Sequence, residues 1–423
     1  MEKSYAVHAK EEMEKNLGKT SGLPVWVAAL TVISAMQIVS AFSVRALVVI
    51  GPELTAAVGV APQDVGILAG AASVGTMCFL LSGSASISYW GPVRILQIGA
   101  LTIAAGALAG ITASWWLLVV GAFFIGLGFG PSPPAGSEVL SRASPPAHMA
   151  LIMSIKQSGV TVGGVLAGLL LPAVTIWANW QTAMLVTAIL AVISAALAQP
   201  WRTRFDASRD TSRSSTECNL LSCANLVAPF VVLKKIPGML ALIVAVFCFA
   251  SGQACIFAFF ITQLTTELGF SLAIAGAAFA AMQVSGTFSR IIMGGIADKF
   301  GSARTLLLLA VASAAMMVVL SRIGPGCPSW LVMSIGAVIG LTSISWNGVC
   351  LAEVARIAPP GQVANATSGS TFFAFVAFAL APFLFTLGIS MSGDYGLCFA
   401  AAAGVQLLAV PALWRVIRIR QSQ

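Results

Sequence analysis

Charge is scarce in this chain. Asp, Glu, Lys and Arg make up 9% of 423 residues, against about 25% in a soluble domain. So few charges cannot cover the surface of a folded body this size in water, which excludes an ordinary soluble enzyme or regulator. Histidine is nearly missing, with His8 and His148 the only two. No His-based metal or catalytic cluster can be built from that pair, and no metal, cofactor or enzymatic activity is expected. The eight cysteines are scattered without a C-x-x-C pair, and packing roles suit them best. The fourteen Asp and Glu residues avoid the apolar stretches: Glu138 and Glu353 stand at span ends, and Glu53, Asp64, Glu267 and Asp394 lie between spans.

What is abundant is apolar sequence. Hydrophobic residues account for 58% and mean hydropathy is +0.95. Runs of about 20 apolar residues read as membrane-crossing helices. Twelve occur, near 25–49, 65–87, 95–113, 115–137, 149–172, 180–200, 238–262, 271–293, 305–321, 329–352, 365–389 and 395–416. They are long and unbroken and do not alternate with period 2, so they suit helices rather than barrel strands. Nine of the ten tryptophans sit near span ends, as an interfacial belt requires.

The chain also repeats itself at half its length. Residues 294–304, GGIADKFGSAR, fall on residues 84–94, SASISYWGPVR, so that Gly301 overlies Gly91 and Arg304 overlies Arg94. The same offset of 210 places Ser368-Gly369 on Ser158-Gly159 and Pro382 on Pro172. An offset of 214–215 places the stretch from Glu353 through Arg356 to Pro359-Pro360 on that from Glu138 through Arg142 to Pro145-Pro146. A duplicated set of apolar spans implies an all-α membrane protein of two pseudo-symmetric six-helix bundles, with a central path between them. The bundles are expected at 25–200 and 238–416, joined by a polar linker at 201–237 and flanked by tails at 1–24 and 417–423.

Lys and Arg set the expected orientation. Of the 22, all but Arg45, Lys156, Arg290 and Arg322 fall in the tails or the even-numbered loops. Both termini are therefore expected in the cytoplasm of a multi-pass plasma-membrane protein. The net charge of +8 follows from that topology and implies no nucleic-acid partner. Lipid is the expected surroundings, and the protein is expected as a monomer.

The GGIADKFGSAR segment resembles the loop motif of the major facilitator superfamily between helices 8 and 9, G-x-L-A-D-R/K-x-G-R/K-R/K. Gly294, Ile296, Ala297, Asp298, Lys299 and Gly301 match in register, while Ser302 and Ala303 replace the basic pair and Arg304 follows. In the first-half copy Ser88 stands at the acidic position. Residues 121–130, GAFFIGLGFG, are similar to that superfamily's helix 4 segment, with Ala122 where many members keep an arginine. Residues 159–168, GVTVGGVLAG, are similar to the glycine-rich helix 5 motif of drug/proton antiporters without its Gly-Pro step, and read as a close-packing surface. The resemblance implies the major facilitator fold of twelve transmembrane helices and a transporter working by alternating access.

Three basic residues inside spans carry the functional expectation: Arg45, Lys156 and Arg290. A charge at mid-bilayer costs at least ~2.5–3.5 kcal/mol on insertion scales. Lys156 lies eight residues beyond His148 and Arg290 eight before Asp298, about 12 Å from the helix end at 1.5 Å per residue. With no carboxylate in the spans to meet them, an anionic small-molecule substrate, such as a carboxylate, is the expected partner. Arg290, in the frame R-x-x-x-G, is similar to the helix 8 arginine of monocarboxylate and oxalate carriers, with Gly286 where monocarboxylate carriers place an acid. By resemblance the first, fourth, seventh and tenth helices line the path, which adds Gln37, Gln253, Trp346 and Asn347. A cytoplasmic gate is expected from Glu138 near Arg94 or Arg142 and from Glu353 near Arg304 or Arg356, with Asp298 facing the start of the eleventh span. The rival readings are a drug or nitroheterocycle exporter of the same superfamily and, from another class, a polytopic membrane enzyme or sensor.

Overall fold

The computed structural model describes residues 24–82, 84–143, 149–207, 236–357 and 363–421. Among these, all regular structure is helical. Twelve spans have the length and hydropathy to cross a membrane: α1 (Val25–Val49), α2 (Pro62–Leu81), α3 (Pro92–Gly110), α4 (Trp115–Leu140), α5 (Ile155–Trp177), α6 (Trp180–Phe205), α7 (Met239–Thr266), α8 (Leu272–Ala297), α9 (Ser302–Ser321), α10 (Ser329–Val354), α11 (Gly369–Ser392) and α12 (Tyr395–Ile419). Most of the expected linker, residues 208–235, and most of the N-terminal tail lie outside the described residues. The linker's first positions differ from expectation. α6 continues through Trp201 to Phe205, with Pro200 inside the helix, and ends on Asp206.

Packing between spans repeats with the sequence. α1 runs along α5 as α7 runs along α11; α2 packs on α4 as α8 packs on α10; α3 packs on α6 as α9 packs on α12. The two sets of six meet along α5 with α8 and along α11 with α2, seams that exchange under the same pseudo-two-fold.

Small residues make these seams possible, because helices pack closely only where no side chain intervenes. A Cβ on Gly168 of α5 would lie 2.8 Å from the carbonyl oxygen of Gly276 on α8, so those backbones are in direct contact. Gly163 faces α1, where a Cβ would lie 2.8 Å from the amide of Phe42. Large apolar side chains that remain exposed, among them Leu169, Leu197, Ile291 and Leu384, point outward where lipid replaces water as solvent.

Two spans are broken at matching places. α4 is helix over Trp115–Phe129 and again over Ser132–Ala143, interrupted at Gly130 and Pro131. α10 is helix over Ser329–Ser343 and Trp346–Ile357, interrupted at Ile344 and Ser345. In α4 the cause is local: Pro131, Pro133 and Pro134 bring no backbone N–H, so carbonyls one turn earlier lose their helical donors. α10 has no proline at its break, where buried Trp346 begins the second segment.

Candidate functional site

Arg45, about one turn before the end of α1, points across to α7. Its guanidinium carbon lies 4.0 Å from the centroid of the Phe257 ring, a stacking geometry favourable for a cation on an aromatic face. Arg290 on α8 reaches the opposite way, and its Nη1 donates to the carbonyl of Gln157 on α5 at 3.2 Å. Among the described residues neither arginine forms an ion pair. Each cation thus crosses between the halves, one from α1 to α7 and the other from α8 to α5.

Another amide meets the Gln157 side chain. Gln37, buried on α1, donates from Nε2 to Gln157 Oε1 at 3.4 Å. Further along the α5–α8 seam, Thr287 donates to Thr161 and Gln283 lies buried against Gly164. From Gly168 and Gly276 to Gln157 and Arg290 the seam grades from bare backbone contact to polar side chains.

Lys156 goes elsewhere. It is 2% exposed, and its Nζ donates to the carbonyl of Pro133 at 2.8 Å and to Ser137 Oγ at 2.9 Å. Those acceptors belong to the second segment of α4, so the ammonium is engaged by that helix. Trp346 is also a packing residue in this structure: 2% exposed, it donates from Nε1 to Gln253 Oε1 at 3.0 Å and stacks on Phe249 with centroids 5.5 Å apart. Gln253 is thereby occupied, and half-buried Asn347 follows on the same segment.

The gate residues pair within their own helices. Arg142 donates to Glu138 at 2.6 Å, and Arg356 lies 3.7 Å from Glu353, whose side chain is fully buried. Arg304 is exposed in the first turn of α9. The backbone amides of Arg94 and Val93 meet Asp206, whose carboxylate accepts from them at 3.0 and 2.8 Å. The side chain of Asp298 lies outside the described residues. Sequence reasoning missed Asp206, Gln157 and Phe257. Asp206 sits in the polar stretch expected as linker, although an acid directly after the basic end of α6 is a usable signal for a cap at a helix N-terminus. Gln157 and Phe257 carry no motif, and only the fold brings them to the arginines.

The family model of the Major Facilitator Superfamily matches residues 33–382. The chain belongs to the major facilitator superfamily. An uncharacterized MFS-type transporter of Mycobacterium tuberculosis, MT3072 of strain CDC 1551 / Oshkosh, is 25% identical over 329 residues, which are 73% of this chain and 67% of that protein. A second, Rv2994 of strain ATCC 25618 / H37Rv, is 25% identical over 292 residues, 64% of this chain and 59% of its own length. In fold, the chain resembles a POT family transporter solved with 5-aminolevulinic acid, with a TM-score of 0.76, 13% identity and coverage of 95% and 97% of the two chains. It also resembles the peptide transporter POT solved with sulfate, with a TM-score of 0.74, 16% identity and coverage of 95% and 96%. This membrane transporter therefore has the superfamily's twelve-helix fold, and it handles a small-molecule substrate.

Proposed function

We propose that this transporter is a secondary carrier that moves a small organic anion, a carboxylate, across the plasma membrane by alternating access. In this reading both termini are cytoplasmic and the monomer is the working unit. The single observation that carries the anion reading is that Arg45 and Arg290 each reach across to a helix of the opposite half, with no ion-pair partner among the described residues. Like charges held together in a low-dielectric region repel, and an anion between them relieves that repulsion while receiving the fork-shaped donors that guanidinium presents to carboxylate. Such an anion would also draw the two halves together, which couples binding to the motion of transport. Gln37, Gln157 and Asn347 would supply the remaining polar contacts.

The test is ligand stabilisation of the purified protein against a panel of organic acids, followed by uptake and efflux of the best hit in proteoliposomes. Arg290→Met and Arg45→Met should each weaken the stabilising acid by about 10–100-fold, the loss of charge-assisted bonds worth ~1.5–3 kcal/mol. Stabilisation by uncharged aromatic compounds alone, undiminished in both variants, would overturn the anion reading in favour of a drug exporter.

A further inference from the structure

Lys156 is held unlike a ligand-binding lysine. Three atoms close a triangle: Lys156 Nζ donates to Pro133 O and to Ser137 Oγ, and the Ser137 hydroxyl itself donates to Pro133 O at 2.8 Å. The lysine stem fits because position 136 is glycine, where a Cβ would lie 2.9 Å from Lys156 Cε. An ammonium desolvated on a helix is tolerated only when its protons meet acceptors, and here the acceptors come from the neighbouring helix.

The helix that receives it is the broken one. The second segment of α4, Ser132–Ala143, is separated from the first at Gly130 and Pro131, and its prolines remove the ladder bonds that would span the break. What holds this segment in place must therefore come partly from outside α4. Lys156 supplies one such tie, beside the packing of the segment on α1 and α3. The next residue along α5, Gln157, accepts Arg290 through its carbonyl and Gln37 through its side chain. Two consecutive residues thus connect the detached segment of α4 with α8 and α1. At the far end of the segment stands the Glu138–Arg142 pair.

We infer that Lys156 is a positioning residue and not a contact of the transported solute: it ties the inner segment of α4 to α5, so that the placement of that segment and of the Arg290 contact change together. The inference rests on Arg290 as the solute's anchor only for its consequence in transport. The brace itself is independent of what is carried.

The deciding experiment needs no solute. Spin labels at Ala143 and Ile357, the ends of the inner segments of α4 and α10, are placed in a background with the native cysteines replaced, and their distance distribution is measured. Lys156→Met and Ser137→Ala should each shift or broaden it, and the double variant should do no more than Lys156→Met alone, as expected for two members of one interaction. Ser137→Ala keeps every charge, so it decides the matter even where Lys156→Met folds poorly. A second arm uses succinate uptake into proteoliposomes. Lys156→Met should lower the maximal rate several-fold with half-saturation within about threefold of the parent, whereas Arg290→Met should raise half-saturation. An unchanged distance distribution in Ser137→Ala overturns the brace. So does a rise in half-saturation for Lys156→Met equal to that for Arg290→Met. Loss of the anion reading alone would appear as an Arg290→Met protein that handles succinate like the parent while the distances still respond to Ser137→Ala.

Discussion

Gly91 and Gly301 stand 210 positions apart and adopt the same backbone conformation, with φ of +92° and +91°, each immediately before the first turn of a span. Gly59 and Gly269, at the same separation, also agree, at +72° and +69°. The internal echo is thus kept in the dihedral angles of the turns, where only glycine is free of a Cβ penalty.

Those two glycines differ in their surroundings, and that difference is measurable. Alanine at either costs about 1–3 kcal/mol for the strained backbone. At Gly91 the new Cβ would also lie 2.7 Å from Asp206 Cβ, whereas at Gly301 nothing among the described residues lies within 4 Å. Gly91→Ala should therefore lower the melting temperature of the purified protein more than Gly301→Ala does. Asp206→Asn, which removes the charge that accepts from the α3 amides, should also destabilise, by about 1–2 kcal/mol. Equal melting losses at the two glycines would show that the Asp206 cap is not maintained.

Closure of the α5–α8 seam depends on Gly168. A valine there meets the Gly276 carbonyl, which is backbone and cannot swing aside. Gly168→Val should drive α5 and α8 apart. A cysteine at Gln283, buried in that seam, should then react faster with a maleimide, by roughly tenfold for each ~1.4 kcal/mol of strain on the closed form. No change in that rate would mean the contact is not needed for closure.

Glu267 supplies a pH dependence outside the spans. Burial pushes its carboxyl above its ordinary value of 4.5, the Tyr395 backbone N–H it accepts at 3.1 Å opposes the shift, and the charge of Asp394 adds to it. A carboxyl with a raised value holds its proton better in the folded state, so stability falls as pH rises from the ordinary range through the raised one. Glu267→Gln should match the parent below the ordinary range and melt higher than the parent above it. Parallel melting curves from pH 4 to 8 would remove Glu267 as the source.

The proposed orientation predicts opposite labelling at the two ends of the bundle. A cysteine at Glu53, exposed between α1 and α2, should react in intact cells with an impermeant reagent; one at Lys299, exposed between α8 and α9, should react only after permeabilisation. The reverse pattern would invert the topology.

Much of this architecture is legible in the chain. Apolar runs long enough to cross a bilayer specify helices, because lipid offers no partner for a free amide or carbonyl. The repeated Gly91/Gly301 and Pro172/Pro382 pairs specify the pseudo-symmetry. Depth is legible as well, since Arg45, Lys156 and Arg290 can be counted inward from the span ends at a fixed rise. Direction is not. A uniformly apolar span has no polar face to announce which way a lysine turns, so the choice between the central path and α4 was open for Lys156 until Pro133 and Ser137 were found beside it. The same holds for Trp346, satisfied by Gln253 from a helix more than ninety residues earlier, and for Asp206, which caps a helix begun 114 residues before it. The number of spans, their duplication and the residues that must find partners in the membrane are all written in the order of the amino acids. Which partners they found depended on the folded arrangement, because a buried charge or amide is satisfied by any suitable group nearby, and nearness between distant segments comes from helix packing.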